Sequence, residues 1–196
     1  MQTAPLENQT ELQTPAQEKT DWKRFLLDLF ETVGLAVILF LIINTLSARV
    51  RVDGFSMLPT LHDGEFVLVN KLAYRIGSPT RGDIIVFQST TEKDLDLIKR
   101  VIGLPGDHIV IGSDKVSVNN QTLTEPYIAA APSYSGDWNV PKGYLFVLGD
   151  NRNDSSDSHA WGFLPIQNVV GKALLIYWPP NEWAMVDHIK IEVPAP

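Results

Sequence analysis

Apolar positions along the chain fall into three regimes. Residues 1–24 are dominated by Gln, Thr and Pro, with Glu7, Glu11, Glu18 and Asp21 set against Lys19, Lys23 and Arg24. Such a stretch buries too little apolar surface to offset the entropy of ordering, which predicts a flexible tail over 1–24. From Thr32 to Ala48 no charged residue occurs, and Leu35, Val37, Ile38, Leu39, Phe40, Leu41, Ile42 and Ile43 fill the run between Glu31 and Arg49. At 1.5 Å per residue this run spans about 25 Å, and the amphipathic turns from Phe25 onward extend it toward the roughly 30 Å hydrocarbon core of a bilayer. The pattern predicts an anchor helix over 25–48. A cleaved signal peptide fits less well, because the leader is long and acidic and only Ser47 and Ala48 offer a weak small-residue site. A buried core helix is the remaining alternative.

Beyond residue 50 the pattern shortens to apolar runs separated by Gly, Pro, Asn and Asp, which predicts a mostly β domain over 49–196. Strands are expected at Phe66–Asn70, Ile84–Gln88, Leu95–Ile102, His108–Ile111, Lys115–Val118, Tyr144–Leu148 and Val170–Trp178. Val118-Asn119-Asn120-Gln121 reads as a hairpin turn, since Asn tolerates the left-handed φ such turns require. Residues 112–142, rich in Pro, Gly, Ser and Ala toward their end, predict a small inserted subdomain or loop.

Composition narrows the function more than the fold. The 196 residues carry 16 Lys+Arg against 23 Asp+Glu, a net charge of −7, which argues against a nucleic-acid partner needing a basic face. No cysteine is present, so disulfides, thiolate nucleophiles and Cys-ligated zinc are excluded together. His62, His108, His159 and His188 show no metal-ligand spacing, and no G-x-S-x-G elbow signals a Ser-His-Asp triad. No metal or other cofactor is expected.

Two segments suggest chemistry. Gly54-Phe55-Ser56-Met57-Leu58-Pro59-Thr60-Leu61 places a serine on a constrained turn, although a turn serine commonly serves its own backbone. Leu95-Asp96-Leu97-Ile98-Lys99-Arg100-Val101-Ile102, if extended, puts Lys99 on one face with Leu95, Leu97 and Val101, and Asp96, Ile98 and Arg100 on the other. A lysine snorkelling at a strand edge accounts for that placement. Burial instead disfavours the ammonium form and creates a neutral amine able to take a proton from a hydroxyl.

Together the segments resemble the type I signal peptidases, membrane-bound Ser/Lys proteases that remove signal peptides from exported preproteins. Ser56 to Leu61 is similar to the family's nucleophile box and Lys99 to Asp107 to its general-base box. Gly82-Asp83-Ile84-Ile85-Val86-Phe87 matches a third segment. A fourth is matched by Gly149-Asp150-Asn151-Arg152-Asn153-Asp154-Ser155-Ser156-Asp157-Ser158-His159 with Trp161 to Pro165. Four boxes in the family's order are a far stronger signal than any one alone.

The resemblance implies a signal-peptidase-like antiparallel β-sheet domain with a small inserted cap, behind one transmembrane helix. It implies Ser56 as nucleophile, Lys99 as general base and later acid, Ser155 holding the Lys99 amine by a hydrogen bond, and Asp157 fixing that loop. Met57, Leu61, Leu97 and Ile98 would line the first substrate pocket, and Val52, Val67, Asp96 and Ile98 the third, favouring Ala-x-Ala before the cut. The same apolar residues are ordinary core in an unknown β domain.

Partners would be signal peptides of exported preproteins and membrane lipid. The location would be a cell membrane or thylakoid-type inner membrane, with the catalytic domain periplasmic, extracytoplasmic or lumenal. The basic residues flanking the helix lean toward a cytoplasmic N-terminus. Two positions depart from the family pattern: His159 where many members carry an arginine that pairs with the aspartate at 157, and Gly54 where some carry a serine that helps bind the oxyanion. A membrane-anchored domain that binds peptides without cutting them is the rival reading. The related self-cleaving repressors would need a DNA-binding N-terminal domain where this chain has a tail and an apolar helix.

Overall fold

The computed structural model describes residues 21–92 and 95–193, and the predicted tail lies almost wholly outside them. The chain divides after Leu41 into two units. Helix α1 covers Trp22–Leu46 and is long and apolar enough to cross a membrane, with its apolar side chains exposed. It begins before residue 25, in what reads as tail: Phe25 N–H donates to the Asp21 carbonyl, and the Trp22 and Phe25 rings stack at 5.5 Å. It stops at Leu46 instead of 48 because Ser47–Arg51 forms a strand, β1, in register with Phe66–Asn70, β2. The cross-strand ladder satisfies these backbone groups where the helical pattern runs out.

After β2 come the short helix α2 (Ala73–Ile76) and strands β3 (Ile84–Gln88), β4 (Asp96–Gly103), β5 (His108–Gly112), β6 (Lys115–Val118), β7 (Gln121–Thr122), β8 (Gly136–Asn139) and β9 (Tyr144–Leu148). Then follow α3 (Ser158–Trp161), β10 (Leu164–Pro165), β11 (Val169–Trp178) and β12 (Ala184–Met185). The described pairings are antiparallel and make two sheets. The larger has the order β1-β2-β11-β3-β4-β9-β10 with β12 on β11, and the smaller has the order β7-β6-β5-β8.

The chain leaves the large sheet at Leu104–Asp107, where the Asp107 carboxylate accepts from Leu104 N–H and Arg81. The second sheet therefore starts at His108, paired with Asn139, and not at residue 112. Its first strand looks like any other apolar run; only the turn before it marks the change of sheet. Asn119 and Asn120 adopt φ of 51° and 65°, the left-handed pair that closes the β6–β7 turn.

β4 lies between β3 and β9 and is buried from Ile98 to Gly103. Lys99 faces Ile85 and, with Leu97 and Val101, belongs to one side of the sheet; Arg100 faces Ile84 on the other. Only Arg100 to Gly103 pair with β9, so Asp96–Lys99 are laddered to β3 alone; Lys99 is nevertheless 3% exposed, and a buried amine, not one snorkelling into water, is what the strand presents there.

Candidate active site

Ser56 sits on a turn anchored on both sides. Met57 and Leu61 behind it are buried, and Thr60 and Leu61 N–H both donate to the Met57 carbonyl. Before it, Gly54 has φ of 93°, a region that favours glycine, and its N–H donates to Asp63 at 2.7 Å. That backbone accounts for glycine at 54: a serine there would be strained.

Across the turn stands Lys99, 3% exposed, with Nζ 2.8 Å from Ser56 Oγ and donating to the Ile98 carbonyl at 3.1 Å. Among the described residues no carboxylate pairs with this amine. Burial lowers its pKa from the usual 10.5 to about 8, while the more distant charges of Asp157 and Asp150 pull upward.

The loop after β9 clamps the Ser56 turn. Asn151 donates its N–H to the Ser56 carbonyl at 3.0 Å and its side-chain amide to the Phe55 carbonyl at 3.1 Å, and Thr60 donates to Asp150. Arg100 grips the Asp150 carboxylate with two hydrogen bonds, of 2.8 and 2.7 Å, in full burial. Gly149 allows this approach, since a Cβ there would strike both the Ser56 carbonyl and Ser155 Oγ. The buried Asp157 accepts from Gly149 N–H at 2.9 Å, and its other oxygen lies 2.7 Å from His159 Nδ1.

Known proteins resemble this chain over most of its length. The family model described as signal peptidase, peptidase S26, matches residues 26–178. A signal peptidase I of Leptolyngbya laminosa is 41% identical over 182 residues, covering 88% of this chain and 90% of that protein. One from Bacillus caldolyticus is 42% identical over 148 residues, 68% of this chain and 80% of its own.

The chain belongs to the peptidase S26 family of signal peptidases. A solved signal peptidase I of Enterococcus faecalis V583 matches with a TM-score of 0.46 and 33% identity, over 50% of this chain and 97% of that one.

For a serine peptidase of this family, a cleft reaching the serine is required. One of about 160 Å³ is lined by Arg51, Val52, Asp53, Ser56, Met57, Leu95, Asp96, Leu97, Ile98 and Lys99. Five residues expected to contact substrate, Val52, Met57, Asp96, Leu97 and Ile98, are therefore on its wall. Leu61 and Val67 are not: both are fully buried, packed in the core cluster with Met57 and Ile98, and they back the wall without reaching it. A larger depression of about 790 Å³ near Tyr74, Leu104 and Ile166 contains neither Ser56 nor Lys99.

Ser155 departs from expectation. Its buried hydroxyl has no hydrogen-bond partner among the described residues, and the Lys99 amine donates instead to the Ile98 carbonyl. Residues of the inserted region that the sequence pattern does not flag also hold the 149–159 loop. Glu125 takes a two-pronged ion pair from Arg152, at 2.9 and 2.6 Å, and Tyr134 stacks on His159 at 3.9 Å. The charge of Glu125 inside an otherwise Pro/Ala/Ser-rich loop, opposite an arginine in the fourth box, is the one available hint.

Proposed function

We propose that this chain is a type I signal peptidase, a membrane-anchored serine endopeptidase that removes signal peptides from exported preproteins with Ser56 as nucleophile and Lys99 as base. The observation that carries the reading is a buried amine without a carboxylate partner 2.8 Å from a serine hydroxyl. At a pKa of about 8 roughly a tenth of the amine is neutral at pH 7, about a hundredfold or more above an unperturbed lysine. That fraction accepts the Ser56 proton as Oγ attacks the scissile carbonyl.

The resulting oxyanion takes the Ser56 backbone N–H, because Gly54 has no side chain to offer. The Lys99 ammonium then protonates the leaving amine, and the neutral amine it leaves behind activates water against the acyl-serine. Ser155, buried beside Gly149, has an uncommitted hydroxyl available to orient the amine during these steps, and Asp157 fixes the backbone that carries it.

A cleft of about 160 Å³ whose apolar wall is Val52, Met57, Leu95, Leu97 and Ile98, beside the charged Arg51, Asp53 and Asp96, accepts small side chains and excludes large ones by overlap, which supports preference for Ala-x-Ala. A peptide entering it lies alongside β4, in the manner of strand addition. Helix α1 would anchor the enzyme as a single span, N-terminus cytoplasmic, with the β domain on the periplasmic, extracytoplasmic or lumenal side.

The test is cleavage of a preprotein bearing an Ala-x-Ala site by the full chain in detergent. Ser56→Ala and Lys99→Ala are each expected to abolish cutting while the far-UV circular dichroism is kept; retained cutting in either removes the dyad. Binding without cutting by the unmutated chain would favour the non-enzymatic reading. Protease accessibility of the β domain in sealed vesicles tests its side of the membrane.

A further inference from the structure

The segment after β12, residues 186–193, has no secondary structure of its own, yet it is tied to the large sheet at many points. Val186 is buried in the core and its N–H donates to the Leu174 carbonyl at 3.0 Å. The Asp187 carbonyl lies 3.4 Å from Nη1 of Arg100, which also donates to the Gly82 carbonyl at 2.9 Å. The Ile189 carbonyl packs so closely on Gly82 that no Cβ fits there. Farther along, the Val193 carbonyl accepts from Arg81 at 3.5 Å.

At the centre is His188, with both ring nitrogens engaged. Nδ1 accepts the Ile84 backbone N–H at 3.1 Å, so it carries no proton; Nε2–H donates to the Ala173 carbonyl at 2.7 Å. The ring therefore bridges β3 and β11 in one neutral tautomer. A proton on Nδ1 would point at the Ile84 N–H, donor against donor, and break that bond.

The charged and titratable groups around the ring are unevenly balanced. Asp83 favours a cation, 4.0 Å from Nδ1, but it is committed to the Lys172 ammonium at 2.6 Å, the Tyr74 hydroxyl at 2.8 Å and the Thr80 N–H at 3.0 Å. Lys172 and Arg100 oppose one, and Arg81 and Lys190 line the same small depression. Asp187, beside His188 in the chain, has its carbonyl turned to Arg100.

We propose that His188 is a positioning residue of the peptidase site: its neutral ring holds the 186–193 strap on the sheet, the strap holds Arg100, and Arg100 aligns Asp150 beneath the nucleophile turn, so that protonation of the ring unlatches the strap and lowers turnover. The inference rests on the signal peptidase reading for its effect on turnover. Burial and the Lys172 ammonium keep the His188 pKa below the usual histidine value. The sign follows: the latch contributes fully above the unfolded histidine pKa and weakens as pH falls below it.

The experiment uses the full chain in detergent. Ring ¹⁵N resonances at pH 8 are expected to show His188 protonated on Nε2 alone, and exchange of the Ile84 and Val186 amides to be protected. As pH falls through the His188 transition, protection of both amides should drop at least tenfold in excess of the intrinsic pH effect. His188→Gln, which can still donate to Ala173 but cannot titrate, should keep that protection in acid.

In cleavage assays His188→Ala should lose about tenfold in kcat at pH 8 and His188→Gln should restore most of it. The acid limb of kcat/KM should steepen beyond one proton in the unmutated chain and stay at one in the Gln variant. An Nδ1–H tautomer at pH 8, unchanged protection through the transition, or release in His188→Gln at the same pH would overturn the latch. An intact latch with unaltered kcat in His188→Ala would overturn the positioning role. Failure of the unmutated chain to cut any preprotein would instead sink the peptidase reading, leaving the tautomer and exchange data to judge the latch.

Discussion

Lys99 and Arg100 are neighbours on one buried strand, and their surroundings are opposites. Around Arg100 the charge is answered at every nitrogen: two bonds to Asp150, one to the Gly82 carbonyl, the Asp187 carbonyl at longer reach and the Tyr127 ring 4.0 Å beneath the guanidinium. Around Lys99 the amine has a hydroxyl and one carbonyl, and no described carboxylate within ion-pair distance. A buried charge that is matched locks its surroundings; one that is not matched gives up its proton. That difference would make the first region a scaffold and the second a base, although both side chains are buried.

Substitutions sharpen the contrast, beginning with the largest effect. Lys99→Met should lower preprotein cleavage by about 10⁴-fold or more, since the base is gone. Stability should move the other way. Depression of the Lys99 pKa to about 8 means that its burial costs the fold about 3 kcal/mol at pH 7. Thermal melts at pH 7 should therefore show Lys99→Met at or above the unmutated Tm. The advantage should shrink between pH 8 and 10.5, where the unfolded chain's lysine also loses its proton.

On the other strand face, Asp150→Asn leaves a buried guanidinium unmatched and should cost about 3–5 kcal/mol, read as a fall in denaturation midpoint. If Asp150→Asn proved harmless and Lys99→Met strongly destabilising, the contrast would be reversed. The smallest effect is at Ser155. Because its hydroxyl has no partner among the described residues, Ser155→Ala should leave the melting temperature unchanged or slightly raised. A fall in kcat without a fall in stability would locate its role in orienting the amine.

Much of this is legible in the amino-acid sequence. β2, β3, β6 and β9 fall where alternation or unbroken apolar runs end in turn formers, β4 is shifted by one residue at both ends, and β5 and β11 differ by one residue at one end. Lys99 shares a face with Leu97 and Val101 because period two leaves no choice. β1 was hidden because it follows the helix without a break and its arginines at 49 and 51 look like flanking charges. β8 is hidden because three of the four residues of Gly136-Asp137-Trp138-Asn139 are turn formers and the segment becomes a strand by pairing with β5.

At the site, residue identity was readable and packing depth was not. Val67 and Leu61 have the chemistry of pocket residues, but β2 turns Val67 inward and the Met57 carbonyl draws Leu61 into the core. The bond expected of Ser155 depends on a side-chain rotamer, which no spacing encodes. Glu125 and Tyr134 act from a loop without periodicity, so only the folded chain brings them to Arg152 and His159.

The central claim is the state of one amine, and ¹⁵N NMR of the Lys99 Nζ across pH 6 to 11 in the full chain measures it directly. A titration midpoint near 8 that disappears in Lys99→Met, matched by the pH at which kcat/KM for preprotein cleavage levels off, is the predicted result. A midpoint above 10, with cleavage indifferent to it, would contradict the account.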